Sequence, residues 1–132
     1  MDFTGEYIKE IFVGKVWIKK ATFIEADQFQ KFLSNAMKNE IKKYIIDLSN
    51  CVSIDPIFIG VLIQTYKKLL TINGNLKIIR PKITSFSNQN LDNTFRIFET
   101  YLSVEEAIDS YKKIFVKPQE ELLTNRISLA VS

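Results

Sequence analysis

The sequence predicts a single α/β domain. Its 132 residues suit one domain with its own hydrophobic core. The composition is that of an ordinary globular protein, with 46% hydrophobic residues, 25% charged residues, and few glycines and prolines. Short runs of β-branched and aromatic residues alternate with segments of helical periodicity. This order indicates parallel strands joined by helical crossovers after an initial hairpin.

The first half of the chain predicts a hairpin, a helix and a buried strand. Residues 7–13 and 15–23 have strand composition, and Gly14 between them permits a tight reversal. Apolar residues then recur at three- and four-residue steps over residues 26–39, which predicts an amphipathic helix. The continuous apolar run at residues 44–48 is typical of a central strand covered on both faces.

A second helix is predicted to begin at Asp55 and Pro56. The Asp55 carboxylate can accept hydrogen bonds from the free amides of a first turn, and Pro56 has no amide to leave unpaired. The apolar pattern runs to about residue 71, where Asn73 and Gly74 supply a left-handed residue that ends the helix. A buried strand is expected next, at residues 76–79.

The last third predicts two more helices around a short strand. We expect a helix over residues 83–91, a strand at residues 95–98, and a helix to about residue 115 that begins with a capping box of Ser103 and Glu106. Residues 1–115 are thus predicted to form the domain, with about four helices. Residues 116–132 are predicted to be an appended tail, and periodicity does not decide whether the tail is an extra helix or disordered.

The residue inventory argues against catalysis and bound cofactors. The chain has no His and a single Cys51, so it lacks the usual nucleophile pairs and the usual zinc ligands. Its four glycines stand far apart, so no glycine-rich phosphate loop is present. We therefore expect no enzyme activity, no cofactor and no metal.

Charge and hydropathy indicate a cytoplasmic protein without nucleic-acid binding. The net charge is only +3, and the lysine pairs are spread along the chain. The first residues do not resemble a signal peptide, and no apolar run approaches the roughly 20 residues of a membrane span. A lone thiol suits a reducing compartment, where Cys51 is expected to fill the core. We expect no direct membrane insertion.

The segment from residue 44 to residue 70 contains Asp47-Leu48-Ser49 at the end of an apolar strand, Ile54-Asp55 before a helix and Gly60 within it. With these residues it resembles the STAS domain, the module of sulfate-transporter tails and bacterial anti-sigma factor antagonists. The resemblance spans about residues 5–115. It rests on an apolar strand ending in Asp-Leu-Ser, an Ile-Asp before the helix, a glycine in its first turns, a Gly-Asn near its end, and a last helix that opens Ser-x-x-Glu-Ala. These stand here as Asp47-Leu48-Ser49, Ile54-Asp55, Gly60, Gly74-Asn75 and Ser103 to Ala107. The resemblance implies a STAS-like mixed sheet.

The sequence departs from the family pattern where the family is regulated. In the switchable antagonists a serine or threonine after the Asp is phosphorylated by a partner kinase, and Pro56 and Ile57 stand at those positions here. Ser53 is the nearest hydroxyl and only a weak substitute. Phe58 replaces a family glycine, and Thr22 stands near the position of the Asp that precedes the first helix. The resemblance therefore implies an antagonist-like domain without the standard switch.

These residues give a functional hypothesis with a rival. We expect a non-catalytic regulatory module that binds a protein, either an anti-sigma factor kinase or another STAS protein. The alternative is an accessory or scaffold domain of a transport or signalling assembly; a small-molecule ligand and homo-oligomerisation are left open. The predicted partner-binding residues are Ser53, Asp55, Pro56, Ile57, Phe58 and Gly60.

Three of these residues have a structural interpretation as well as a functional one. Asp55 either only caps its helix or also borders an interface. Phe58 either packs in the core or joins Ile57 in an exposed apolar patch. Gly60 is expected to allow close packing, because a side chain there would hold the helix off its neighbour.

Overall fold

The computed structural model describes residues 2–81 and 95–116. These residues form an α/β domain. The described part contains seven strands and three helices. In chain order they are β1 (Phe3–Ile8), β2 (Ile11–Val16), β3 (Lys20–Ala21), α1 (Phe23–Met37), β4 (Lys43–Asp47), β5 (Ser53–Ile54), α2 (Pro56–Leu70), β6 (Asn75–Ile79), β7 (Glu99–Tyr101) and α3 (Val104–Val116).

Five of the strands form one mixed sheet in the order β1-β2-β4-β6-β7. β1 and β2 are antiparallel, and β2, β4, β6 and β7 run parallel to one another. β4 therefore occupies the centre, as its continuous apolar sequence predicts. β3 and β5 form a separate parallel pair. The predicted mixed sheet, with its antiparallel N-terminal hairpin and its parallel crossovers, is confirmed.

Each face of the sheet has its own hydrophobic core, because successive side chains of a strand point to opposite faces. Tyr44 and Ile46 of β4 belong to the larger core, beneath α1 and α2. Ile45 belongs to the smaller core beneath α3, where it packs in one cluster with Ala107 and Tyr111. Both faces of the central strand are thus covered.

A buried lysine helps to fix α3 on the smaller core. Lys77 of β6 is fully buried, with its Nζ 3.2 Å from a carboxylate oxygen of Glu99. The same Nζ donates to the Ser110 hydroxyl and lies 4.1 Å from the centre of the Tyr111 ring. The hydroxyl of Tyr111 donates to the Tyr44 carbonyl at 2.9 Å. A buried amine is costly unless polar or aromatic groups surround it, and these contacts supply them for Lys77.

The turn of the N-terminal hairpin lies five residues before the predicted one. Ile8 pairs with Ile11, so Lys9 and Glu10 form the two-residue loop, and Lys9 has a φ of 57°. Gly14 instead pairs with Gly5 inside the ladder. A Cβ on Gly5 would lie 2.6 Å from the Phe12 ring. The glycines make room for an aromatic ring; they do not make the turn.

Two other predicted boundaries are also wrong. The strand expected at residues 95–98 is β7, at Glu99–Tyr101, because Phe95 and Phe98 bury their rings in the larger core and the Phe98 amide donates to the Phe95 carbonyl in a turn. α1 begins at Phe23, three residues before its predicted start. The predicted helix over residues 83–91 and most of the predicted tail lie outside the described residues.

Candidate functional site

The carboxyl edge of the sheet brings the predicted site residues together. β4 leads through the loop that contains Cys51 to β5 and α2, and β2 leads through β3 to α1. Because the parallel strands all end at this edge, the helices that follow them begin there. The starts of α1 and α2 are therefore neighbours, and the predicted residues from Ser53 to Gly60 lie along one of them.

The small β3-β5 pair sets the spacing between these two helix starts. Ala21 pairs with Ile54, and the Asp55 amide donates to the Ala21 carbonyl at 2.8 Å. On the other side of the pair, the Val52 amide donates to the Lys19 carbonyl at 2.7 Å. The two chains thus enter α1 and α2 in parallel, one strand spacing apart.

Both helices are capped by the residue that follows this pair. Asp55 is the N-cap of α2, and its carboxylate accepts from the Ile57 amide at 2.7 Å. Thr22 is the N-cap of α1 in a complete capping box with Glu25. The hydrogen bonds that Thr22 donates to Glu25 hold the pKa of the Glu25 carboxyl below its ordinary value. The capping roles predicted for Asp55 and Pro56 are confirmed.

Four large apolar side chains are exposed around these caps. The exposed fraction is 61% for Phe23, 71% for Ile24, 52% for Val52 and 60% for Ile57. We call these four residues the helix-start patch. Pro56 and Ser53 are also exposed, the first in the opening turn of α2 and the second on β5. Of the residues in the patch, the sequence analysis identified Ile57 alone.

Phe23 and Ile24 were missed for one reason, and Val52 for another. Residues 15–23 were assigned to a strand, which hid the capping box formed by Thr22 and Glu25. A Thr-x-x-Glu motif just before an amphipathic segment is a helix-start signal. Read in that way, it places Phe23 and Ile24 in the first turn of α1. Val52 has no comparable local signal, because its exposure follows from the β3-β5 pairing.

Phe58 lies beneath the patch and is not part of its surface. Its side chain is fully buried, and its ring stacks on the Phe29 ring of α1 with centroids 4.4 Å apart and planes 8° apart. The exposed alternative for Phe58 is therefore wrong, and the packed alternative holds. The residue supports the surface by joining α1 to α2.

Gly60 does not have the packing role that was expected of it. A Cβ built on this glycine has no heavy atom within 4 Å, and its φ is not positive. The prediction that a side chain there would push α2 off a neighbour is therefore wrong for the described residues. Gly60 leaves a gap one turn after Pro56 on the outside of the helix.

The described residues show neither a metal-binding cluster nor a reactive thiol. Within them no group of three or more His, Cys, Asp or Glu side chains could hold a metal ion. Cys51 is fully buried, and burial, with a smaller contribution from the nearby Asp47 charge, raises its pKa to about 12. A thiol in that state stays protonated at neutral pH and is a poor nucleophile. No described helix is long and apolar enough to cross a membrane.

Comparison with known proteins identifies the family to which this geometry corresponds. The STAS domain family model matches residues 19–107, which contain the β3-β5 pair, α1, α2 and the beginning of α3. No curated protein sequence matches the chain significantly.

The solved structures with a similar fold include anti-sigma factor antagonists. One from Mycobacterium paratuberculosis has a TM-score of 0.69 at 16% identity, covering 82% of this chain and 92% of that one. SpoIIAA in its unphosphorylated form has a TM-score of 0.66 at 17% identity, covering 83% and 97%. The Bacillus cell fate determinant SpoIIAA in its phosphorylated form has a TM-score of 0.63 at 16% identity, covering 83% and 98%.

Proposed function

This chain belongs to the STAS domain family, and on that basis we propose that it is a non-catalytic regulatory module that binds another protein through the helix-start patch. The proposal places it in the bacterial cytoplasm as an anti-sigma factor antagonist-like protein. Its partner would be an anti-sigma factor kinase or another STAS protein. The similarity of its fold to anti-sigma factor antagonists supports this choice of partner.

The helix-start patch is the observation that carries the proposal. Four large apolar side chains, each more than half exposed, lie on two helix starts that the β3-β5 pair holds side by side. Apolar side chains that gather on a rigid surface are typical of a protein-binding site. The patch is rigid because the Phe58 ring stacks on Phe29 directly beneath it.

The polar residues of the site set limits on what it can recognise. Asp55 already uses a carboxylate oxygen on the Ile57 amide, so part of its hydrogen-bonding capacity is spent within α2. Lys19 and Lys20 are exposed beside β5. We propose that the apolar side chains supply the binding energy and that the lysines favour a partner with acidic residues at the rim.

The residues at the family's phosphoacceptor positions suggest how binding is controlled. Pro56 and Ile57 occupy the first turn of α2 and carry no hydroxyl. Ser53 is exposed, but it lies on β5 before the helix cap, with its amide bonded to the Lys19 carbonyl. We propose that protein abundance or assembly controls the interaction, because no hydroxyl stands where a phosphate would put charge into the packed surface.

The test compares two isoleucines of the α2 region. Ile57→Asp places a charge on the patch, and Ile72→Asp places the same charge on a side chain that is 42% exposed just beyond the other end of α2. Each protein is used to capture partners from the host, and the captured anti-sigma kinase or STAS protein is then purified and titrated with all three proteins. Circular dichroism checks that the variants are folded.

We expect the wild type and Ile72→Asp to bind the partner equally. Ile57→Asp should bind at least about tenfold more weakly, as for a residue near the centre of an interface. Equal binding by all three proteins would place the interface elsewhere and reject the patch. Transporter subunits in place of a kinase or STAS protein would favour the accessory-domain alternative.

A further inference from the structure

A second apolar surface lies at the amino edge of the sheet, opposite the helix-start patch. It is a groove of about 500 Å³ between α3 and the hairpin turn. Its apolar lining residues are Ile8, Ile11, Ile108 and Tyr111. Three lysines line it together with a single carboxylate. These four charged residues are Lys9, Lys43, Lys112 and Glu10. We call it the α3 groove.

The described chain ends beside this groove. Ile108, Tyr111 and Lys112 line it from α3, which runs back to the amino edge and ends at Val116. Val116 is four residues beyond Lys112, or about 6 Å along a helix axis. Glu120 is four residues further on, so at most about 14 Å of chain separates it from Val116. Residues 117–132 therefore start within reach of the groove.

The sequence after α3 complements the groove in both charge and hydropathy. Glu120 and Glu121 supply two adjacent carboxylates, and Leu122 and Leu123 follow directly. The groove is lined both by amines and by apolar side chains. A second groove of about 690 Å³ shares Glu10, Lys43 and Tyr111 with the first, so the concave surface continues along the amino edge.

We propose that the α3 groove is a binding site for an acidic-then-apolar segment and that residues 120–123 of the same chain fill it. The leucines cover the isoleucine and tyrosine side chains, and the carboxylates face the lysines. The tether keeps the local concentration of this segment high, so the groove is occupied in cis before a free peptide can compete. The site is separate from the helix-start patch and does not depend on its partner.

Thiol reactivity in the 132-residue chain tests the proposal. Thr124→Cys adds a thiol next to the docked leucines without removing them, and Ser132→Cys adds a reference thiol at the end of the chain. Cys51 is buried, so its own reaction with iodoacetamide reports unfolding in the same sample. The expected result is alkylation at position 124 about tenfold slower than at position 132, as for a segment that is mostly docked.

Two groove variants decide whether the protection comes from this site. Ile108→Asp in the Thr124→Cys chain should raise the alkylation rate to that of the reference thiol, whereas Ile24→Asp, at the opposite edge, should leave it unchanged. Lys112→Glu should also raise the rate, and Glu120→Lys with Glu121→Lys should restore protection. The charge exchange remains decisive if Ile108→Asp exposes Cys51. Equal rates at positions 124 and 132, or protection insensitive to the groove variants, would overturn the proposal.

Discussion

The Phe58 ring lies flat on the Phe29 ring, with centroids 4.4 Å apart. One ring belongs to α2 and the other to α1, so the stack joins the N-terminal halves of the two helices whose first residues contribute to the exposed patch. Phe58 directly follows Ile57 in the sequence, yet the two side chains have opposite environments. The Phe58 ring packs in the core and supports the surface, whereas Ile57 is exposed on that surface and can contact a partner.

Phe58→Ala is expected to lower the free energy of unfolding by about 3–5 kcal/mol, since it removes a fully buried ring and leaves a cavity. Ile57→Ala is the matched control and should change it by less than about 0.5 kcal/mol, because that side chain is 60% exposed. Urea unfolding followed by circular dichroism measures both. A similar loss from the two variants would contradict the assignment of one residue to the core and the other to the surface.

Gly60→Ala is expected to stabilise the protein by about 0.5–1 kcal/mol. The new methyl group meets no heavy atom within 4 Å, and alanine costs less backbone entropy than glycine inside a helix. Gly74→Ala should destabilise it, because a Cβ there would lie 2.7 Å from the Lys42 carbonyl oxygen. Thermal unfolding of the two variants should shift in opposite directions. A loss of stability in Gly60→Ala would mean that the position is packed.

Tyr44 and Tyr111 are expected to respond differently to loss of the hydroxyl. The Tyr44 hydroxyl is buried without a hydrogen-bond partner among the described residues, so Tyr44→Phe should be neutral or stabilising. The Tyr111 hydroxyl donates to the Tyr44 carbonyl at 2.9 Å, so Tyr111→Phe should cost about 1 kcal/mol. Chemical denaturation distinguishes them. Destabilisation by Tyr44→Phe would indicate a partner for its hydroxyl.

Stability is expected to fall as pH rises above about 9. In the unfolded chain the Cys51 thiol loses its proton near its ordinary pKa of 9.0, while burial holds the folded pKa at about 12. Burial also raises the pKa of Tyr44 from 10.0 to about 12. The folded state binds more protons in this range, so raising the pH favours unfolding, by at most about 1.4 kcal/mol per pH unit for each group.

Urea unfolding between pH 8 and 11 measures this slope, and Cys51→Ala tests its origin. The variant should be less stable at neutral pH because it leaves a small cavity, and its stability should fall less steeply with pH. An unchanged slope would show that the thiol contributes nothing to it.

Local signals in the sequence were sufficient to predict features whose cause lies within one short segment. The cap at Asp55 and Pro56, the continuous apolar run of β4, and the Ser103 hydroxyl that accepts from the Glu106 amide were all predicted and observed. Even here the capping box is altered, because the Glu106 carboxylate accepts from the Leu102 amide and not from that of Ser103. Caps and buried strands are recognisable because their causes lie within a few residues of each other.

The roles of Gly14 and Gly60 were predicted wrongly because a short stretch of sequence does not show which atoms surround a glycine. Gly14 looked like a turn and proved to be a space for the Phe12 ring, and Gly60 looked like a close contact and proved to face open space. Glycine is compatible with a turn, a tight approach or an ordinary helix. Only the positions of the surrounding atoms distinguish these roles.

The α/β class, the parallel crossovers and the two-sided burial of the central strand could be predicted from the sequence, since periodicity and capping residues are local features of the chain. Which apolar residues reach the surface depends on how distant segments pack. Phe58 is buried because α1 brings Phe29 against it, and Phe23, Ile24 and Ile57 are exposed together because β3 pairs with β5. Both causes join segments about 30 residues apart in the chain, a separation at which local pattern carries no information about contact.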